Sequence, residues 1–199
     1  MPDTPTRRDR LKRESRLRIL DAAAARLRDD GLDGAPIAPV MAAAGLTHGA
    51  FYAHFDSKDD LAVAAFRHAI TENRRRWIGT TRDASWAARV ARLARGYLNR
   101  THRDRRAESC PYAALAADIA RSSPAFRAAF ERELRGSLDA MGDTPAAPSG
   151  EHARYDETIA LMALFVGGLS LARAVESPAF SDRILKVCRQ AAAQLGTKA

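Results

Sequence analysis

The run Ala44-Gly45-Leu46-Thr47-His48-Gly49-Ala50-Phe51-Tyr52-Ala53-His54-Phe55-Asp56-Ser57-Lys58 leaves this chain few folds to choose from. A short apolar helix runs into Ala44, and Gly45, lacking a Cβ, admits the left-handed turn that ends it. Thr47 stands where a second helix begins, with a hydroxyl able to cap its free N–H groups. That second helix carries Tyr52 and His54 in its last turn, and Asp56, Ser57 and Lys58 break it and start a longer one. Two short helices about a glycine turn form a helix-turn-helix, a unit whose second helix enters the DNA major groove.

Alanine, leucine and arginine dominate the 199 residues and alternating β-branched runs are absent, so the expected fold is all-α, with about nine helices. A net charge of +8 favours a polyanionic partner; a solvated basic surface is the plain alternative. The two cysteines, Cys110 and Cys188, make no disulfide framework and lack zinc-ligand spacing, so no metal or cofactor is expected. No apolar stretch follows the N-terminal arginines, and the apolar run 159–172 is too short for a bilayer. The default location is a reducing cytoplasm, away from membranes.

Residues 1–14 read as a flexible basic arm holding Arg7, Arg8, Arg10, Lys12 and Arg13. The arm either follows phosphates or simply solubilises the chain. Helical spacing of Leu17, Leu20, Ala24 and Leu27 predicts a first helix over 15–30, stopped by Gly31. A second covers 37–44, with Pro39 in its first turn. After the recognition helix, a long helix over 58–77 buries Leu61, Ala65, Ala69 and Ile70 and links the two halves. Further helices are expected over 86–101, 111–121, 124–141, 152–175 and 181–195. The first of these buries Val90, Leu93 and Tyr97 and exposes Arg89, Arg92, Arg95 and Arg100. Ser123 and Pro124 supply the start of the helix at 124. Residues 15–60 then form a DNA-binding domain and 61–199 an effector-binding and dimerisation domain.

The motif at 44–58 resembles the N-terminal signature of the TetR/AcrR family of one-component transcriptional regulators, over about residues 15–62. The resemblance implies a dimeric DNA-binding protein, commonly a repressor released from a palindromic operator by a small molecule. Carried over by position, Thr47 caps the recognition helix and bonds a phosphate, and His48, Ala50 and Phe51 face the groove. Gly49 permits close backbone approach, Tyr52 and His54 contact the DNA backbone, and Lys58 contacts phosphate. Residue chemistry agrees: hydroxyls and lysines position a duplex, His48 can donate to a guanine acceptor, and Ala50 or Phe51 can meet a thymine methyl. Phe55 suits the core. Pro36 departs from the family's usual hydroxyl cap, and Met41 from its usual small residue.

In the second half, Cys110 before Pro111 falls at a helix N-cap, where the helix dipole favours thiolate, as do Arg100, Arg103, Arg105 and Arg106. The segment 109–117 also resembles a TetR branch that includes electrophile-sensing repressors. Cys110 is therefore either a sensor thiol or an inert packing residue. Tyr97, Tyr112, Leu115, Phe126, Phe130, Met162 and Phe165 either line an effector pocket or form ordinary core. Arg173 falls on the same helical stripe as Ile159, Met162, Val166 and Leu169; pointing inward it needs an anionic partner, an acidic residue or an acidic ligand, and otherwise it snorkels to the surface.

Between residues 159 and 172 the helix at 152–175 is apolar nearly all round, which suits either a second subunit or a larger monomer core, and Gly167 and Gly168 permit close helix approach. Together with the stripe Ile184, Cys188, Ala191 and Leu195 it suits a two-fold four-helix dimer interface through Ile159, Val166, Gly167 and Leu169. Cys188 reads as structural. His48, His54, His68, His102 and His152 are scattered, and no catalytic constellation forms, which argues against an enzyme. The readings left are an effector-controlled regulator, a helical DNA-binding adaptor without an effector and, third, a small helical enzyme.

Overall fold

The protein is described from a computed structural model covering residues 6–79, 83–142 and 154–197. The described residues are all-helical, with nine α-helices and two short 3-10 helices. Helix α1 (Arg7–Asp30) begins eight residues before the expected start. The cause is a capping box that the sequence reading overlooked: Asp9 N–H donates to Thr6 Oγ1 at 3.2 Å, and Thr6 N–H donates back to Asp9 at 3.1 Å. The basic run from Arg7 to Arg13 is thus an exposed helical extension rather than a loose arm. Ile19, Leu20, Ala23, Ala24 and Leu27 face inward, whereas Leu17, half a turn away from Ile19, is exposed.

Helix α2 (Ile37–Ala43) starts from Pro36 without a side-chain cap and buries Val40 and Met41 completely. Gly45 takes φ 68°, and Leu46 N–H closes the turn on the Met41 carbonyl at 2.9 Å. The recognition helix, His48–Ala53, is a 3-10 helix, and α3 (Lys58–Trp77) follows with the Ser57 hydroxyl accepting Asp60 N–H at 3.0 Å.

The helix expected over 86–101 is two: α4 (Trp86–Tyr97) and α5 (Arg100–Asp104), because the Asn99 side chain accepts His102 N–H at 2.9 Å and caps a new start. Arg89 is also corrected. It is buried, not on a solvent face, and donates to the Met141 and Ala140 carbonyls at 2.8 and 2.7 Å, closing the end of α7. The remaining helices are α6 (Pro111–Ile119), α7 (Pro124–Gly142), α8 (Tyr155–Ala174) and α9 (Pro178–Thr197). His152 lies outside the described residues.

α1 packs on α2, α3, α6 and the 3-10 segment Arg106–Glu108, while α8 and α9 pack together and α9 also covers α4. By length and apolarity α8 reaches what a membrane span needs, more than its apolar run 159–172 implied; here it packs on α6, α7 and α9. Gly168 lets α9 approach, since a Cβ there would lie 2.8 Å from Cys188 Sγ; Gly167 faces open space. Leu169 is fully buried within the protomer, and Cys188 turns toward α8, so neither belongs to a free outer face. The large apolar side chains left exposed on this pair of helices are Ile159, Leu171, Phe180 and Val187.

Candidate functional site

At the recognition helix, Thr47, His48, Gly49, Tyr52 and Lys58 are exposed together, Ala50 and His54 are partly covered, and Tyr52 stands out at 67% exposure. A Cβ on Gly49 would meet nothing within 4 Å, so its backbone is open to a close partner. Two expectations fail. The Thr47 side chain makes no capping hydrogen bond. In the tighter 3-10 turn its carbonyl instead accepts Ala50 N–H at 3.1 Å. Phe51 does not face outward; it is 0% exposed and stacks on Phe55 at 5.9 Å. Arg16 of α1 lies 4.2 Å over the Phe55 ring and donates to the His54 carbonyl, fastening the recognition helix to α1. Burial, then Lys12 and Arg16, lowers the pKa of His54.

In the other half, α3, α4, α6, α7 and α8 line an almost wholly apolar, partly open cavity of about 40 Å³. That is room for about three waters. Tyr97, Cys110, Tyr112, Met162 and Phe165 line it, joined by Ile70, Asn73, Arg74 and Trp77 of α3 and by Leu93, Ser137 and Met141. Leu115, Phe126 and Phe130 pack in the core outside it. Arg173 is outside as well, and its partners are not anionic: it donates to the Arg103 and His102 carbonyls at 3.0 and 2.7 Å. Two carbonyl dipoles at the end of α5 satisfy the guanidinium in place of a carboxylate.

Cys110 is the N-cap of α6, as Pro111 dictates, but it is 1% exposed. Burial pushes its thiol up, outweighing donors from Tyr97, Asn73 and the amides of Tyr112 and Ala113 that pull it down. Three of the four arginines expected to help are engaged elsewhere: Arg100 and Arg103 pair with Asp182, and Arg105 with Glu108. A buried histidine holds Cys110 in place. His102 Nε2 accepts Cys110 N–H at 3.0 Å and its Nδ1–H donates to the Tyr97 carbonyl at 2.7 Å, which fixes one neutral tautomer. Burial lowers the His102 pKa to about 4.

Two elements connect the cavity to the recognition unit. α3 lines the cavity with its last turns and starts beside the recognition helix. It is clamped to α7 by Glu133, which takes Arg67 at 3.2 Å and also Arg74. The other is α6. Cys110 stands at its start, and near its end Asp118 accepts Leu32 N–H, in the loop after α1, at 3.2 Å.

Residues 19–65 match the family model described as bacterial regulatory proteins, tetR family. The N-terminal unit is a TetR-family domain. Solved structures extend the likeness to the whole fold, that of TetR-family transcriptional regulators. The reduced form of Escherichia coli NemR superposes with a TM-score of 0.71 at 19% identity, covering 91% of this chain and 96% of its own. A TetR transcriptional regulator from Chloroflexus aurantiacus gives 0.67 at 24% identity over 95% and 97%. Bacillus subtilis FadR in complex with stearoyl-CoA gives 0.54 at 16% identity over 92% and 97%. No curated protein sequence matches the chain.

The residues that the reading missed around this TetR-family fold are Asn73, Arg74, Trp77, His102, Asp118 and Glu133. Arg74, Asp118 and Glu133 have partners far along the chain, and His102 pairs across a break between helices, so helical periodicity alone gives no sign of them. One sign was available: Asn73 and Trp77 are four apart, and Trp77 Nε1–H donates to Asn73 Oδ1 at 2.7 Å.

Proposed function

We propose that this chain is a cytoplasmic, homodimeric TetR-family repressor whose hold on operator DNA is released by a small molecule acting at the Cys110 cavity. In this reading Thr47, His48, Gly49, Ala50, Tyr52 and Lys58 meet the duplex and His54 lies at the edge of that contact, while Phe51 and Phe55 hold the reading surface in place. Residues up to about 60 read DNA and the remainder sense and dimerise. Dimerisation uses the outward side of α8 and α9, where Ile159, Leu171, Phe180 and Val187 remain exposed. A two-fold dimer presents two recognition helices at a fixed separation, so a small shift within each protomer removes much of the specific affinity.

The observation that carries the proposal is the position of α6, nine residues long, with the cavity's cysteine at its start and a hydrogen bond to the α1–α2 loop near its end. A molecule entering a cavity this small, or bonded to Cys110, displaces the start of α6 and with it the Asp118 contact. Scattered histidines and an engaged set of charged groups favour a regulator over an enzyme. A cavity beside the long linking helix favours effector control over an adaptor role.

The test is binding of the purified protein to duplex DNA from its own promoter region, followed by fluorescence anisotropy with and without candidate effectors, including quinones and aldehydes. Sequence-selective binding by a dimer, lost on effector addition, is expected. Binding that stays indifferent to sequence and to every compound overturns the reading.

A further inference from the structure

Helix α1 outruns the core that it packs against. Arg8, Lys12, Arg16, Ile19, Ala23 and Leu27 recur at intervals of three or four residues, which puts them on one stripe of the helix. The stripe changes character along its length. Ile19, Ala23 and Leu27 are buried. Arg16 is half-buried and fastens the recognition helix through the Phe55 ring and the His54 carbonyl. Lys12 and Arg8 are exposed, and at 1.5 Å per residue they stand about 6 and 12 Å further along the helix than Arg16.

This extension differs from a solvated basic tail. Thr6 to Glu14 are all exposed, so their turns of helix bury nothing that would hold them in shape. The capping box of Thr6 and Asp9 holds them instead, and it occupies the one carboxylate lying between Arg8 and Lys12 in sequence. Among the described residues neither cation forms an ion pair. Lys12 is also near enough to His54 to help lower its pKa. Positive charge is thus gathered at this edge of the recognition unit, an arrangement that an anionic partner relieves.

We propose that the first turns of α1 form a rigid rail on DNA, with Arg8 and Lys12 each engaging a backbone phosphate beside those met by Tyr52 and His54. The inference rests on the DNA reading above and adds a second contact surface to it. Arg8 and Lys12 position the duplex and leave the sequence to His48 and Ala50. A capped helix presents its cations at fixed points, so less order has to be imposed on binding than with a flexible arm. Two rails in a dimer supply about four phosphate contacts, each releasing counterions.

The experiment measures binding by anisotropy between about 50 and 200 mM salt, on the promoter duplex and on an unrelated duplex of equal length. Arg8→Gln with Lys12→Gln removes both exposed cations of the stripe and keeps good helix formers in place. Arg7→Gln with Arg10→Gln removes the same charge from the same segment, off the stripe. Circular dichroism and thermal melting check that both variants fold like the parent. The stripe pair should make the slope of log K against log salt shallower by about 3–4, and should weaken both duplexes by a similar factor. The off-stripe pair should change the slope by less than about 1. Equal effects of the two pairs, or no effect of either, overturn the rail while the parent's selective binding keeps the DNA reading standing. If the parent itself does not prefer its promoter duplex, that reading falls and this inference falls with it.

Discussion

Replacing Asp118 with alanine tests whether α6 carries the message to the DNA-reading unit. The carboxylate accepts Leu32 N–H at 3.2 Å and has Arg121 at 3.3 Å, with its side chain 35% exposed. A hydrogen bond to a charged group contributes about 1.5–3 kcal/mol when sheltered, and solvent around this carboxylate reduces that to about 1 kcal/mol. The folded protein should therefore melt about 2–4 °C lower, a small loss. The informative quantity is a ratio. Anisotropy titrations on the promoter duplex give dissociation constants for unmodified protein and for protein carrying a Cys110 adduct. If about 1 kcal/mol of coupling passes through this contact, the variant's ratio of the two constants shrinks about fivefold, with unmodified binding kept. Asp118→Asn, which retains an acceptor, should recover most of the coupling. A ratio unchanged in Asp118→Ala refutes the α6 route and leaves α3 as the carrier.

Other substitutions probe the same frame. Gly31 has φ 79° and ψ −172°, a region open essentially to glycine, and a Cβ there would lie 2.8 Å from Asp118 Oδ2. Gly31→Ala should cost about 1–3 kcal/mol in urea unfolding and weaken the coupling as well. Phe51→Ala should cost about 3–5 kcal/mol in the same assay, whereas Tyr52→Ala should change stability by less than about 0.5 kcal/mol while weakening DNA binding in the anisotropy assay. Stability should also fall in mild acid. His102 is neutral in the folded state with a pKa of about 4 against an ordinary 6.5, so the unfolded chain takes up the proton first as pH drops. The stability this gives is complete above pH 6.5, falls by about 2 kcal/mol between pH 7 and 5, and is lost through pH 4. His102→Gln should flatten that slope in urea melts at the two pH values.

Local chemistry made much of the fold legible beforehand. The Gly45 turn, the Ser57 and Ser123 caps, and Pro111 at the first turn of α6 all depend on neighbours a few residues away. The motif at 44–58 likewise placed an exposed Tyr52 and a buried Phe55 correctly. The misreadings share a cause. Position in the motif puts Phe51 in the groove, although the face a side chain takes depends on whether the turn is α or 3-10. The charges near Cys110 in sequence suggest an activated thiol, but Arg100, Arg103 and Arg105 pair with Asp182 and Glu108 and burial dominates. Arg89 and Arg173 looked like surface or anion-seeking charges, and each instead closes the carbonyl end of another helix. Such partners are set by tertiary packing, which helical periodicity does not encode.

Enclosure of Cys110 also bears on time. A sulfur that is 1% exposed cannot be reached by a reagent in solution until the wall around it opens. On the proposed sensing role, modification is then a two-step process, opening followed by capture, and openings of packed helices fall in the microsecond-to-second range. At low reagent the rate follows concentration; at high reagent it levels off at the opening rate, whatever the intrinsic reactivity of the compound. A brief pulse of a reactive compound is thereby damped, and sustained exposure is registered in full. If Cys110 is the sensor proposed above, the depth at which it lies makes the protein a low-pass filter, with a cut-off belonging to the helices around it.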